Sequence, residues 1–233
     1  MYKNKTVLAV VPARGNSKGL KNKNLKKING LSLVERAGRI LKKIAIIDYS
    51  IISSDSNKII KAAKKSGLEF LFKRPKNISG DKIGDKEVLE HALKTTEKIK
   101  KKKIDIILLI QPTSPLRKII HIQSVIKKII DENLDAVWSI SRVDLKFHPL
   151  KQLDFKNNIL AYHNQMGKNI IARQQLKDTY FRNGVVYAFT RKIILKKNKS
   201  LLSKKSSGYI IDTPQISIDN LTDLKIARKL LKN

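Results

Sequence analysis

A chain of 233 residues can bury a sizeable core in one domain, and its lack of cysteine excludes a disulfide framework and any Cys-ligated zinc or iron–sulfur centre. Its 50 Lys and Arg against 19 Asp and Glu give a net charge of +31, a field that ordinarily points to nucleic acid. The lysines are nevertheless spread along the whole chain among many Ile and Asn, aromatics make up only 6%, and no RNA-recognition motif, helix-turn-helix or zinc finger organises them, so the charge reads as composition: no dedicated nucleic-acid binding, only retention of polyanions at low salt.

In chain order, residues 6–11 are a continuous apolar run suited to a central parallel strand, and 33–43 carry apolar residues at Leu33, Val34, Ala37, Ile40 and Leu41, which is helical spacing. A strand at 49–53 and a helix at 57–66 follow, the helix with capping candidates at Ser54, Asp55 and Ser56 and Gly67 placed to end it. Then come a strand near 69–72, a helix at 86–99, a strand at 104–110, a helix at 119–132 and a strand at 136–141. This alternation predicts an α/β fold with a mostly parallel, Rossmann-like sheet covered by helices on both faces. From about 144 to 182 the period breaks into mixed polar and aromatic residues with turn signals, read as a β-rich excursion with antiparallel ribbon. The core resumes at 184–189, followed by a basic helix near 191–199, a strand around 209–212 and a closing helix at 221–231. No linker divides the chain, so 1–233 is read as one domain with one insertion. No run reaches the ~20 apolar residues of a membrane span, and the first residues lead into a strand rather than a signal segment. A soluble, cytoplasmic protein is expected.

The first strand runs into Pro12-Ala13-Arg14-Gly15-Asn16-Ser17-Lys18-Gly19-Leu20-Lys21-Asn22-Lys23-Asn24. The glycines let backbone approach a ligand, Arg14, Lys18, Lys21 and Lys23 supply charge, and Ser17 and Asn24 supply neutral donors. This reads as a triphosphate cradle of neither the P-loop nor the dinucleotide pattern. In open α/β sheets ligands sit at the carboxyl ends of strands, where Arg74, suited to a nucleotide phosphate or ribose, and Gln111-Pro-Thr-Ser-Pro-Leu-Arg117 also fall. Gln111 can both donate and accept hydrogen bonds, and Arg173, further along, suits a carboxylate held bidentately.

These landmarks, in order and spacing across essentially the whole chain, resemble the acylneuraminate cytidylyltransferases, the CMP-sialic acid synthetases and relatives acting on other nine-carbon 2-keto acids. The resemblance rests on residues 12–20 with Lys23-Asn24, on the Gln111 loop, and on Arg173-Gln174 followed by Tyr180 and Asn183-Gly184. It implies the nucleotidyltransferase version of the sheet, with the excursion at about 144–182 as a dimerisation subdomain of a homodimer. It implies transfer of CMP from CTP to the anomeric hydroxyl of a sialic, legionaminic or pseudaminic type of nonulosonic acid, with Mg²⁺ as cofactor. By the same resemblance Ala13, Arg14, Gly15, Ser17, Lys18, Lys23, Asn24 and Arg74 bind the nucleotide, and Gln111, Arg173, Gln174, Tyr180 and Asn183 bind the sugar acid. Arg14, Lys23 and Asp219 form the catalytic set, with Asp219 on the metal.

The match departs from the family at four places: Asn16 for a second Gly, Lys177 for a Pro, Asp85 for a hydroxyl residue near the nucleotide, and Ser217 for the first Asp of a metal-binding Asp-x-Asp. Ser217 can coordinate weakly or through water, or Asp212 can reach in instead, and a one-carboxylate site binds Mg²⁺ less tightly. Asp223 reads as part of a capping box with Asn220, and Tyr187 as packing inside a strand. Two other readings remain. One is a 3-deoxy-octulosonate cytidylyltransferase, whose first loop usually has Arg-Leu-Pro-Gly-Lys. The other is a non-catalytic nucleotide or polyanion binder, against which the retained Arg173-Gln174 argues.

Overall fold

The computed structural model describes residues 2–16, 19–198 and 200–231. β1 (Val7–Pro12) is central because it can be buried on both sides: Val7, Ala9 and Val11 face one core, Leu8 and Val10 the other. A small hairpin follows, β2 (Lys27–Ile28) and β3 (Leu31–Ser32), turned at Asn29-Gly30 where both φ angles are positive, the Asn-Gly signature of a tight turn. α1 (Leu33–Leu41) opens on a capping box in which Ser32 and Glu35 exchange side chain-to-backbone hydrogen bonds. Next come β4 (Tyr49–Ser53), α2 (Asn57–Lys65), α3 (Asp85–Lys100), β5 (Ile106–Leu109), α4 (Ile119–Asp131) and β6 (Ala136–Arg142).

The chain then leaves the sheet for a hairpin of β7 (Leu153–Lys156) and β8 (Ile159–Tyr162), and returns as the long β9 (Tyr180–Thr190). α5 (Arg191–Leu195), β10 (Ser206–Ile210) and α6 (Leu221–Leu230) complete it. The six-stranded sheet has the order β10-β6-β9-β5-β1-β4. β1 is parallel to β4 and β5, and β10 to β6, while β9 is antiparallel to both of its neighbours. The reversal follows from the connection, since the excursion brings the chain back without the crossover helix that a parallel return requires.

α1, α2 and α4 pack on one face through Val34, Ala37, Ile59, Ala63, Ile122 and Val125, and α3 and α5 on the other through Leu89, Leu93, Ile193 and Ile194. A third small core joins the β2–β3 hairpin to α6 through Ile28, Leu33, Leu224 and Ala227, so the segment after β1 meets α6 beside the sheet. The segment expected as a strand near 69–72 makes a single bridge, Ile51 to Glu69. Beyond it, Leu71 and Phe72 turn onto the core under α3 instead of pairing. α5 stops at Leu195, four residues short of its expected end. All eight residues of β7 and β8 are exposed.

Candidate active site

β1, β4 and β5 run parallel, so the loops after them share one edge of the sheet, and there a cleft of about 510 Å³ opens. Arg14, Lys23, Asn24, Arg74, Gln111 and Asp219 line it together. The first loop is pinned from several sides. The Ala13 N–H donates to the Ser53 carbonyl at 3.0 Å, the Gly15 N–H to Asp55 Oδ1 at 2.8 Å, and the buried Asn24 side chain to the Arg14 carbonyl at 3.2 Å. The Gly15 amide is therefore spent on Asp55, and Asn24 holds the loop's shape. Arg14 forms an ion pair with Asp81. Ser17 and Lys18 lie outside the described residues.

Lys23 closes the cleft across the chain's full length, its Nζ 2.9 Å from Asp219 Oδ1. Gly19 allows the approach, because a Cβ there would stand 2.9 Å from the Asp219 carbonyl oxygen. Asp219 is in turn set by the start of α6. Asp223 accepts the N–H groups of Asp219 at 2.9 Å and Asn220 at 3.0 Å, while Asn220 accepts the N–H of Asp223, the capping box read in the sequence.

Arg74 is buried, donating Nη2 to the Ser53 carbonyl at 2.6 Å, while its Nε has no partner among the described residues. Burial pulls its pKa down, with Asp55 opposing, so an anion in the cleft would restore what burial costs it. Asp85, at the first turn of α3, also lines the cleft; burial holds its carboxyl above the ordinary range, with Arg182 opposing.

The Gln111 loop hangs from Arg117, a residue whose role the sequence did not disclose. Its buried guanidinium donates to the carbonyls of Val185 at 2.5 Å, Gln111 at 2.5 Å and Gly184 at 3.5 Å, and burial depresses its pKa to about 9. Gly184 has φ +73°, and a Cβ there would fall 2.7 Å from Gln111 Oε1; its N–H donates to the Tyr187 hydroxyl at 2.7 Å. Tyr187 is buried against Trp138, as read, and carries that extra hydrogen bond. Gly184→Ala should cost about 1–3 kcal/mol through the left-handed backbone and the clash, lowering Tm by roughly 2–12 °C for a chain of this length; a thermal melt unchanged from wild type would refute the account.

Four of the sugar-acid residues are placed elsewhere. Arg173 and Gln174 sit in an exposed turn of the excursion, Tyr180 is exposed at the start of β9, and none of them lines the cleft. Asn183 is buried, bonded to Ser139 Oγ at 2.6 Å and Ser141 Oγ at 3.0 Å.

A profile of the cytidylyltransferase family matches residues 8–228. The chain belongs to the cytidylyltransferase family. Post-translational flagellin modification protein B of Campylobacter coli is 29% identical, the match covering 97% of this chain and 95% of that protein. The CMP-N,N'-diacetyllegionaminic acid synthase of Campylobacter jejuni subsp. jejuni is 26% identical over 97% of this chain and 94% of its own. A solved CMP:2-keto-3-deoxy-manno-octonic acid synthetase complexed with CTP shares the fold, with a TM-score of 0.73 at 13% identity over 98% of this chain and 99% of that one.

For this cytidylyltransferase the oxygen donors on the C-terminal wall decide what cation it can hold. Asp219 is accompanied by the Ser217 and Thr113 hydroxyls, 3.5 Å from one another. Asp212 lines a separate depression with Ser141 and Phe181. Among the described residues no group of three or more His, Cys, Asp or Glu forms a cation cage. Mg²⁺ keeps several waters and is usually held by one or two carboxylates together with substrate phosphates. One carboxylate and two hydroxyls are a donor set that Mg²⁺ accepts when substrate phosphates and waters complete its shell. Among the described residues no helix is long and apolar enough to cross a membrane.

Proposed function

We propose that this cytidylyltransferase, working in the cytoplasm, transfers CMP from CTP to the anomeric hydroxyl of a nine-carbon 2-keto sugar acid and releases pyrophosphate. The observation that carries the reading is the cation–carboxylate pair Lys23–Asp219 spanning the cleft, with Arg14 and the half-satisfied Arg74 beside it. The triphosphate accepts from Lys23, Arg14 and Arg74, displacing Lys23 from Asp219 and Arg14 from Asp81. Asp219, with Ser217 and Thr113 at hand, would hold Mg²⁺, which would supply neutralisation of charge on the α-phosphate and pyrophosphate oxygens. Gln111 receives the sugar acid beside the nucleotide. The anomeric oxygen attacks the α-phosphorus as its proton passes to solvent, the bond to the bridging oxygen breaks and pyrophosphate leaves with that bond's electron pair, and the protein's part is positioning and charge. The names of the relatives support a nonulosonate substrate.

The excursion supports a homodimer in this reading. A lone hairpin is marginal in water, yet β7 and β8 expose Phe155 at 69%, Ile159 at 69% and Leu160 at 63%. A second copy of the chain would cover these faces, and Arg173-Gln174, which misses its own cleft, would be free to serve the partner's. The test is pyrophosphate release with CTP and Mg²⁺ over a panel of sialic, legionaminic, pseudaminic and octulosonic acids, with sedimentation of the same sample. Turnover with a nonulosonic acid by a dimer is expected. Turnover restricted to the octulosonic acid, or none with any sugar, would overturn the substrate assignment, and a monomeric active enzyme would overturn the dimer.

A further inference from the structure

A second cavity, about 790 Å³ in volume, lies behind the catalytic cleft, between α1 and the loop that leads into α4. Arg36, Arg39, Lys42, Lys43 and Lys118 line it, and no Asp or Glu does. Its floor is apolar, built from Leu31, Ala37, Ile40, Pro115 and Ile119. Arg36 is half-buried there, its Nη1 donating to the Ile28 carbonyl at 3.3 Å. Solvated lysines scattered by composition do not explain this combination. Lysines on an open surface carry no apolar concavity beneath them, whereas here the cationic side chains share one lining with Pro115, Ile40 and Ile119. The volume lies in the range of small-molecule sites, where an apolar lining with a few polar groups fixes a ligand's orientation.

The cavity touches the chemistry through one loop. Pro112 lines both spaces; Gln111 and Thr113 face the catalytic cleft, while Ser114, Pro115 and Arg117 line the second cavity. Arg117 holds the Gln111 carbonyl at 2.5 Å. A ligand that settles against Pro115 and Lys118 therefore presses on the segment that places Gln111.

We propose that this cavity is an effector site for a small amphipathic anion, a molecule with a flat apolar body bearing a phosphate or sulfonate, and that its occupancy changes the affinity of the catalytic cleft for CTP. The coupling is reciprocal, so CTP changes the affinity of the effector in equal measure. Binding at the cavity stands on its own lining; the coupling rests on the cytidylyltransferase reading of the cleft.

The probe is 8-anilinonaphthalene-1-sulfonate, which joins an apolar ring system to one anionic group and fluoresces when its rings leave water. It is titrated at about 0.15 M salt, where charges more than ~8 Å apart are screened, with CTP affinity followed by calorimetry in its presence and absence. One probe per chain is expected to bind and to stay bound at saturating CTP. Arg39→Glu with Lys43→Glu should weaken it at least tenfold, whereas Lys64→Glu with Lys65→Glu, the same charge change on the exposed part of α2, should leave it in place. Probe saturation should move the CTP Kd at least threefold in either direction. Stoichiometric displacement of the probe by CTP, or equal losses in the two double variants, would overturn the site. A CTP Kd that the probe leaves untouched would overturn the coupling. Failure of CTP to bind at all would instead sink the reading of the catalytic cleft, while the two double variants still decide whether the second site exists.

Discussion

Asp219→Ala is expected to lower Mg²⁺-dependent CMP transfer by about a thousandfold or more, the scale of several kcal/mol of lost charge stabilisation in the transition state. Among the described residues Asp219 is the one carboxylate that the C-terminal segment contributes to the cleft, with Ser217 two residues before it. Its backbone is fixed by the Asp223 carboxylate rather than by its own side chain, so alanine should remove the ligand without moving the loop. Ser217→Asp is the complementary test: a second carboxylate should tighten the apparent Mg²⁺ requirement several-fold in a metal titration. If Asp219→Ala keeps more than a tenth of the wild-type rate at saturating Mg²⁺, Asp219 is not the metal ligand. An unchanged metal titration in Ser217→Asp would show that position 217 faces away from the ion.

Arg117→Met should lower folding stability by about 3–5 kcal/mol, among the larger single-residue costs, and therefore depress Tm by roughly 6–20 °C. The guanidinium is buried and has carbonyls rather than a carboxylate around it. Its loss takes the side-chain donor from the carbonyls of Gln111, Gly184 and Val185, of which Gln111 keeps the Ser114 N–H at 3.3 Å. Arg117→Lys is the stringent variant: it keeps the charge and much of the volume, but its single ammonium cannot present the planar fork that reaches β9 and the Gln111 loop at once. Denaturant unfolding should rank wild type above the Lys variant. A Lys variant as stable as wild type would mean that charge alone, not the fork, holds the loop.

The sheet was legible wherever both faces of a strand are buried, because β1, β4, β5 and β6 then appear as apolar runs separated by amphipathic helices. What the pattern could not carry was direction: the buried stretch 185–189 of β9 is apolar like its neighbours but runs against them, a fact fixed by the excursion rather than by its own residues. The stretch at 69–72 misled because Leu71 and Phe72 are apolar for packing beneath α3, not for pairing. In the site, Lys23, Arg74 and Gln111 stand out as polar residues in loops after strands, whereas Asp219 is read from the resemblance alone; all four line the cleft. The contacts of Asp55 and Arg117 were not legible: Asp55 acts on Gly15, 40 residues away, and Arg117 on Val185, 68 residues away, which neither the capping reading of Asp55 nor the Gln111–Arg117 motif discloses. Arg173 and Gln174 show the converse, a motif plain in the sequence whose place relative to the cleft is set by the excursion's path.

Lys23 and Asp219 are 196 residues apart in the chain, and this separation bears on how the enzyme comes into being. Domains gain structure from the N-terminus as they are synthesised, and β1, β4 and β5 all precede position 110. A nascent chain therefore builds the Arg14–Asp81 side of the cleft before Asp219 exists to meet Lys23. A fusion or proteolytic nick that frees α6 should leave the sheet intact while Lys23 loses its carboxylate partner and the cleft its C-terminal wall.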